Sequence, residues 1–98
     1  MKSKKITDSA RGEDCTFNIV GVCNYDPSTV VFCHLPFMES GMGMKVSDLS
    51  GAYGCSACHD AVDGRKHSHE YNDDKWFYAA RAMMRTLHRL IDKGLVRV

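Results

Sequence analysis

The hydrophobic positions of this chain are most regular near its C-terminal end. Trp76, Ala80, Met83, Leu87, Leu90 and Ile91 fall at i, i+4, i+7, i+11, i+14 and i+15. That period predicts an amphipathic helix over 72–94 with this stripe against the core. Asn72 or Asp73 can cap its start and Gly94 can end it. Upstream, "CTFNIVGVCNYDPSTVVFCHLPF" reads as two short strands. Phe17, Ile19 and Val20 belong to the first, and Val30, Val31 and Phe32 to the second, parted by Gly21 and the "NYDPS" turn. "MESGMGMKVSDLSGAYG" lacks either period and is expected to be a glycine-rich loop, in which Asp48 or Ser50 opens a helix or turn toward Cys55. "CSACHDAVDG" fits a short helix ended by Gly64, and "RKHSHEYN" a polar linker. Residues 1–14 are polar and are expected to be a basic, flexible arm with one helical turn near Ala10. The closing "LVRV" offers an edge strand.

A chain of 98 residues with no internal repeat is expected to be a single α+β domain with a modest core. No apolar run approaches the roughly 20 residues that span a bilayer. The lysine-bearing N-terminus has no apolar stretch of a secretory signal. A cytoplasmic location and a reducing environment are therefore expected, with no membrane partner. Net charge is +1, but it is unevenly spread. Lys75, Arg81, Arg85, Arg89, Lys93 and Arg97 face only Asp92 in residues 75–98, so that segment carries +5 and the remainder −4. Lys2, Lys4 and Lys5 form a second small cluster. Arg81, Arg85 and Arg89, four apart, draw a basic line along the helix. Lys4, Lys5 and these arginines are candidate nucleic-acid phosphate contacts; a solvated helix face and a tail are the plainer reading.

Five cysteines in a reducing compartment point to metal ligands rather than disulfides. Seven residues separate Cys15 from Cys23, and two separate Cys55 from Cys58. A C-x-x-C turn converges both sulfurs on one ion, and a second pair completes a tetrahedron. Cys15, Cys23, Cys55 and Cys58 are accordingly expected to hold a structural Zn2+. Closing the 31-residue gap would support a thin core. Two unrelated pairs of buried thiols are the alternative. Cys33, after the apolar "VVF", reads as a packed thiol. The C-x-x-C-H array of Cys55, Cys58 and His59 also matches haem attachment and redox dithiols. Neither an export signal nor a preceding βαβ pattern accompanies it.

The stretches "FCHLP" and "CSACH" together resemble the HNH nucleases, also called His-Me finger or ββα-metal nucleases. "RGEDC", "GVCN", "HLPF", "GMGMKVSDLSGAYGCSACHDAVDGR" and the "RT" of Arg85 and Thr86 are similar to prophage-encoded YbcO-type nucleases, related to the phage nuclease Ref. The resemblance covers most of the chain. It implies a small ββα-metal core stapled by the zinc, with the amphipathic helix appended. It implies His34 as general base and His59 as ligand of a catalytic divalent cation, Mg2+ or Mn2+. Asp63, four residues after His59, shares its helix face and would ligate or orient. The implied activity is endonucleolytic hydrolysis of nucleic acid, DNA first. Cys33 stands where HNH proteins often carry Asp, and the middle Asn has no clear equivalent; Asp48 and Ser50 are the nearest polar residues. A zinc module that binds DNA or protein without cleaving, or a nuclease that has lost its chemistry, are the competing expectations. His67, His69 and His88 read as surface or helix residues.

Overall fold

A computed structural model describes residues 3–35 and 50–96. Two antiparallel strands, β1 (Val31–His34) and β2 (Gly51–Gly54), pair with Val31 opposite Gly54 and His34 opposite Gly51. Helix α1 (Lys4–Asp8) precedes them. Helices α2 (Ser56–Val62), α3 (His69–Asp73) and α4 (Lys75–Asp92) follow. Among the described residues this is a small α+β fold in which α4 lies along β2, while α1 and α2 pack on the sheet.

The strand expected at Phe17–Val20 is not formed, although Phe17 and Ile19 are fully buried. Asn18 has a φ of 46°, which breaks the extended run. The backbone N–H groups of Phe17 and Asn18 are given to the Cys15 sulfur, and that of Ile19 to Cys58, instead of to a ladder. The partner of β1 is β2, which lies in the stretch expected to be a loop. Close approach explains its glycines. A Cβ on Gly54 would stand 2.7 Å from Cys33 Sγ and 3.0 Å from Phe17 Cδ2, and one on Gly51 would collide with the Phe32 ring. The expected helix or turn at Asp48 and most of the glycine-rich stretch lie outside the described residues, as do the last two residues of "LVRV".

The tyrosine of β2 shows how a two-stranded sheet is finished. Tyr53 N–H donates to Thr86 Oγ1 at 3.0 Å, while Thr16 N–H and Oγ1 donate to the Tyr53 carbonyl at 2.8 and 2.7 Å. At Tyr53 the outward-facing N–H and carbonyl of β2 are thereby satisfied by side chains and by the segment after Cys15. Thr86 Oγ1 and Thr16 Oγ1 are also 3.1 Å apart, which fixes α4 to the segment after Cys15.

The N-terminal segment differs from the flexible arm expected. Ser3 caps α1, and Ile6 and Ala10, four residues apart, are each 1 % exposed. Ser9 Oγ then meets the buried Tyr53 hydroxyl at 2.7 Å. The polar linker before the last helix contains α3, capped by the Ser68 hydroxyl at the Tyr71 N–H. Helix α4 begins at Lys75, after a break at Asp74 with φ −122° and ψ 32°. It ends near Gly94, whose φ is 74°, and the Leu95 and Val96 N–H groups turn back to the Leu90 carbonyl. The core face of α4 is Tyr78, Ala79, Ala82, Thr86 and Leu90. Of the predicted stripe only Leu90 is buried; Trp76 and Ala80 are exposed, and Met83, Leu87 and Ile91 are half-buried. The helix is rotated toward its small residues because the sheet approaches closely enough for Thr86 to reach the β2 backbone.

Candidate metal centre

Cys55 and Cys58 open α2. The chain enters that helix extended, Cys55 sits at its cap, and the Cys58 N–H reaches Cys55 Sγ at 3.4 Å. Cys15 and Cys23 bracket the loop on the other side. A polar clasp fixes that loop against α2: Asn24 Nδ2 donates to Ser56 Oγ, and Ser56 N–H donates to Thr29 Oγ1. The four sulfurs lie within 4.8 Å of one another. Cys23 Sγ and Cys55 Sγ are 3.8 Å apart. Tetrahedral Zn–S bonds of about 2.3 Å would put sulfurs about 3.8 Å apart, the spacing that Cys23 and Cys55 already have, so this donor set suits a tetrahedral ion such as zinc. All five cysteines are free thiols.

The backbone prepares these sulfurs for negative charge. The Cys58 thiol donating to Cys15, together with the N–H groups of Asn18, Cys55 and Phe17, brings the Cys15 thiol down to about 5 against the opposing effect of burial. Donating that proton, and burial, push the Cys58 thiol up. Burial also raises Cys23, although the Tyr25 N–H and Asn18 side chain point toward it. Tyr25, like Asn18, has a positive φ, here 55°. Two left-handed residues thus turn N–H groups back toward the sulfurs. One proton bridging two thiols is what a divalent cation would displace on binding. Asn18 and Tyr25 were missed as contributors; the only sequence signal was Asn three residues after Cys15, since Asn tolerates left-handed backbone.

Cys33 is outside this group. It is fully buried between Gly54 and Phe17, and burial followed by the Asp63 carboxylate pushes its thiol up. His34 ends β1, half-buried, with its ring edge-on to Phe32 at 5.3 Å between centroids. His59 and Asp63 lie one turn apart on α2, His59 Nε2 to Asp63 Oδ2 being 2.9 Å. Arg65 stands 3.7 Å from both Asp63 and Asp60. Among the described residues, the four cysteines are the one group of three or more His, Cys, Asp or Glu that could share an ion. His34, His59 and Asp63 do not make a second.

The predicted basic residues have separate surroundings. Lys4 and Lys5 are exposed on α1. Arg81 donates to the Phe17 carbonyl at 2.8 Å and lies over the Phe77 ring at 4.9 Å. Arg85 donates to the Thr16 carbonyl and to Asn18 Oδ1, and Arg89 pairs with Glu13 at 3.0 Å. Arg85, His88 and Arg89 line an open cleft with Asp14, Asn18 and the metal-centre residue Cys15. No helix among the described residues is long and apolar enough to cross a membrane.

Residues 4–95 match the family model described as "Putative nuclease YbcO". Curated proteins of that name from Escherichia coli strain K12 and from Enterobacteria phage 82 are each 45 % identical over 60 residues. That stretch is 60 % of this chain and 62 % of theirs, so the match spans less than two thirds of either relative. A solved structure of a "putative bacteriophage protein" from Escherichia coli K-12 MG1655 is similar at TM-score 0.69 and 34 % identity, over 90 % of this chain and 98 % of that one. With a family model matched almost end to end over an α+β fold that gathers four cysteines, the chain belongs to the YbcO family.

Proposed function

We propose that the protein is a metal-dependent endonuclease of HNH type, hydrolysing phosphodiester bonds in DNA. The observation that carries this reading is the order β1, β2, α2. His34 is the last residue of the first strand, and α2, which packs on that strand, presents His59 bonded to Asp63. The nuclease names of the relatives support it.

His34 is the general base: its neutral imidazole takes the proton from a water attacking phosphorus. His59 and Asp63 hold a divalent cation, Mg2+ or Mn2+. Ligand bonds of about 2.1 Å at right angles put donor atoms about 3.0 Å apart. The 2.9 Å between His59 Nε2 and Asp63 Oδ2 fits joint ligation. It equally fits Asp63 orienting His59, whose Nδ1 would then be the ligand. Such an ion supplies stabilisation of charge on the scissile phosphate and the leaving 3′ oxygen. The four cysteines hold a structural zinc that fixes α2. Arg85 and Arg89 at the cleft, together with Lys4, Lys5 and Arg81 elsewhere on the surface, contact phosphates and position the strand without reading bases.

The test is cleavage of plasmid DNA with Mg2+ or Mn2+, zinc content being measured in parallel. His34→Ala should lower the rate by about 10²–10⁴-fold while fold and zinc are retained. His59→Ala should abolish the response to added metal. A second reading, a zinc module that binds without cleaving, is favoured by the cysteines being the one multi-ligand group among the described residues. Absence of metal-stimulated cleavage, or an unaffected His34→Ala, would select it.

A further inference from the structure

His67 and His69 are two of the five histidines, and the chemistry above uses neither. Ser68, between them, has extended backbone with φ −137° and ψ 112°. Such backbone sends residues i and i+2 to one side and the residue between them to the other. Ser68 is accordingly buried, capping α3 at the Tyr71 N–H, while His67 and His69 are exposed together. Their rings stand perpendicular with centroids 4.4 Å apart. His67 Nε2 lies 3.4 Å from His69 Nδ1. That is longer than the about 2.7–3.2 Å of a well-formed N–H hydrogen bond. It matches the edge of a tetrahedron instead. Two Zn–N bonds of about 2.0–2.1 Å at the tetrahedral angle put their nitrogens about 3.3–3.4 Å apart, whereas right-angled bonds of that length would need about 2.8–3.0 Å.

We propose that His67 and His69 form a second zinc site, separate from the four cysteines and from His59 and Asp63. The ion takes His67 Nε2 and His69 Nδ1, and water fills the other two positions. The second nitrogen of His67 has the partner that a ligating imidazole needs: the Asn72 side-chain amide lies 3.4 Å from Nδ1. With Nε2 on the ion, Nδ1 carries the ring proton and donates it to Asn72, whose amide turns to present its oxygen. Asp73, exposed and one turn beyond His69 on α3, adds negative charge on that side. Among the described residues no third His, Cys, Asp or Glu joins the pair, so two imidazoles and water hold this ion more weakly than four thiolates would hold theirs. It is therefore the exchangeable ion. Its place gives it a consequence. It ties the link after α2 to the first turn of α3, a helix of five residues that is too short to persist alone. Zinc at this site thus steadies α3, and with it the buried Tyr71 that α3 carries into the core.

The full chain, its metal content measured after dialysis, should be titrated with Zn2+ by isothermal calorimetry. One equivalent per chain is expected beyond what dialysis leaves. His67→Ala and His69→Ala replace exposed side chains. With circular dichroism and dialysis-resistant metal unchanged, each should weaken that equivalent at least tenfold. Asn72→Ala, which removes the partner of the ligating ring, should weaken it by about tenfold. His59→Ala should leave it in place, so the result does not depend on the cation site of the proposed nuclease chemistry. The imidazole NMR signals of His67 and His69 should shift during this equivalent, and that of His88 should not. Absence of the equivalent would overturn the inference. So would an equivalent indifferent to both His67→Ala and His69→Ala, or one ion per two chains, which would mean that the ion bridges copies rather than closing a site within one.

Discussion

Thr86→Val tests whether the outer edge of β2 is closed by hydroxyl chemistry or by shape. Thr86 is 1 % exposed, so its replacement by a nearly isosteric apolar residue changes packing little. It removes the acceptor of the Tyr53 N–H at 3.0 Å and a partner of Thr16 Oγ1 at 3.1 Å. Tyr53 is fully buried, so no solvent replaces the lost acceptor. Losing the bond and stranding the donor should together cost about 2–3 kcal/mol. Thr16 keeps its bonds to the Tyr53 carbonyl, which is why the loss stops there. For a domain of this size each kcal/mol lowers Tm by about 4–8 °C, so a fall of about 10–20 °C is expected. Thr86→Ser keeps the hydroxyl and gives up one methyl, worth about 1 kcal/mol. Thermal and urea melts by circular dichroism, at fixed zinc and without chelator, should rank wild type above Ser and Ser above Val. Burial alone predicts the reverse order for the two variants. A Val variant as stable as Ser would refute the reasoning.

Removing the metal should be as severe. A metal shared by the four sulfurs would close the 31-residue gap between Cys23 and Cys55. In the chain-entropy account such a loop is worth about 3–4 kcal/mol, a large share of the total of about 5–15 kcal/mol typical of a domain. Chelator, or Cys55→Ser, should lower Tm by at least about 15 °C, whereas Cys33→Ala should keep the full metal content; coincident melts with and without chelator would argue against the centre. A pH test reads Glu13, which Lys93 and Arg89 hold below the usual carboxylate range. A lowered folded value means its contribution is complete above the unfolded value and disappears as pH falls through the folded one. The stability gap between wild type and Glu13→Gln should therefore be present at pH 7 and shrink toward pH 3, and a pH-independent gap would show that the two ion pairs contribute nothing.

The cysteine cluster was more legible in the sequence than the scaffold around it. C-x-x-C names a metal pair because two residues are the spacing at which sulfurs converge, and Cys15 and Cys23 were their available complement. That His59 and Asp63 would share a helix face was legible because four residues make about one helical turn. Strand β2 was hidden because Gly51 and Gly54 answer to contacts with Phe32 and Cys33, which no local period reveals. The apparent strand at Phe17–Val20 failed for a related reason. Its alternation was real, but the nearby sulfurs compete for its N–H groups, and Asn18 turns to supply them. Thr86 lies inside a run that reads as helix, and its role depends on a β2 backbone 33 residues away.

The stripe of α4 is the case in which a correct period led to the wrong face. Periodicity reports that an apolar surface exists; it does not say which side of the helix the sheet approaches. In α2 the two kinds of information coincide. This helix has seven residues, too few to persist alone in water. Cys55 caps it and Cys58 sits in its first turn, while His59 and Asp63 occupy the remainder. Whatever holds the four sulfurs therefore also holds the imidazole and carboxylate at 2.9 Å. Removal of an ion held by those sulfurs should free that pair before it unfolds the sheet, because β2 remains tied to α4 through Thr86 and to Thr16 through its carbonyl.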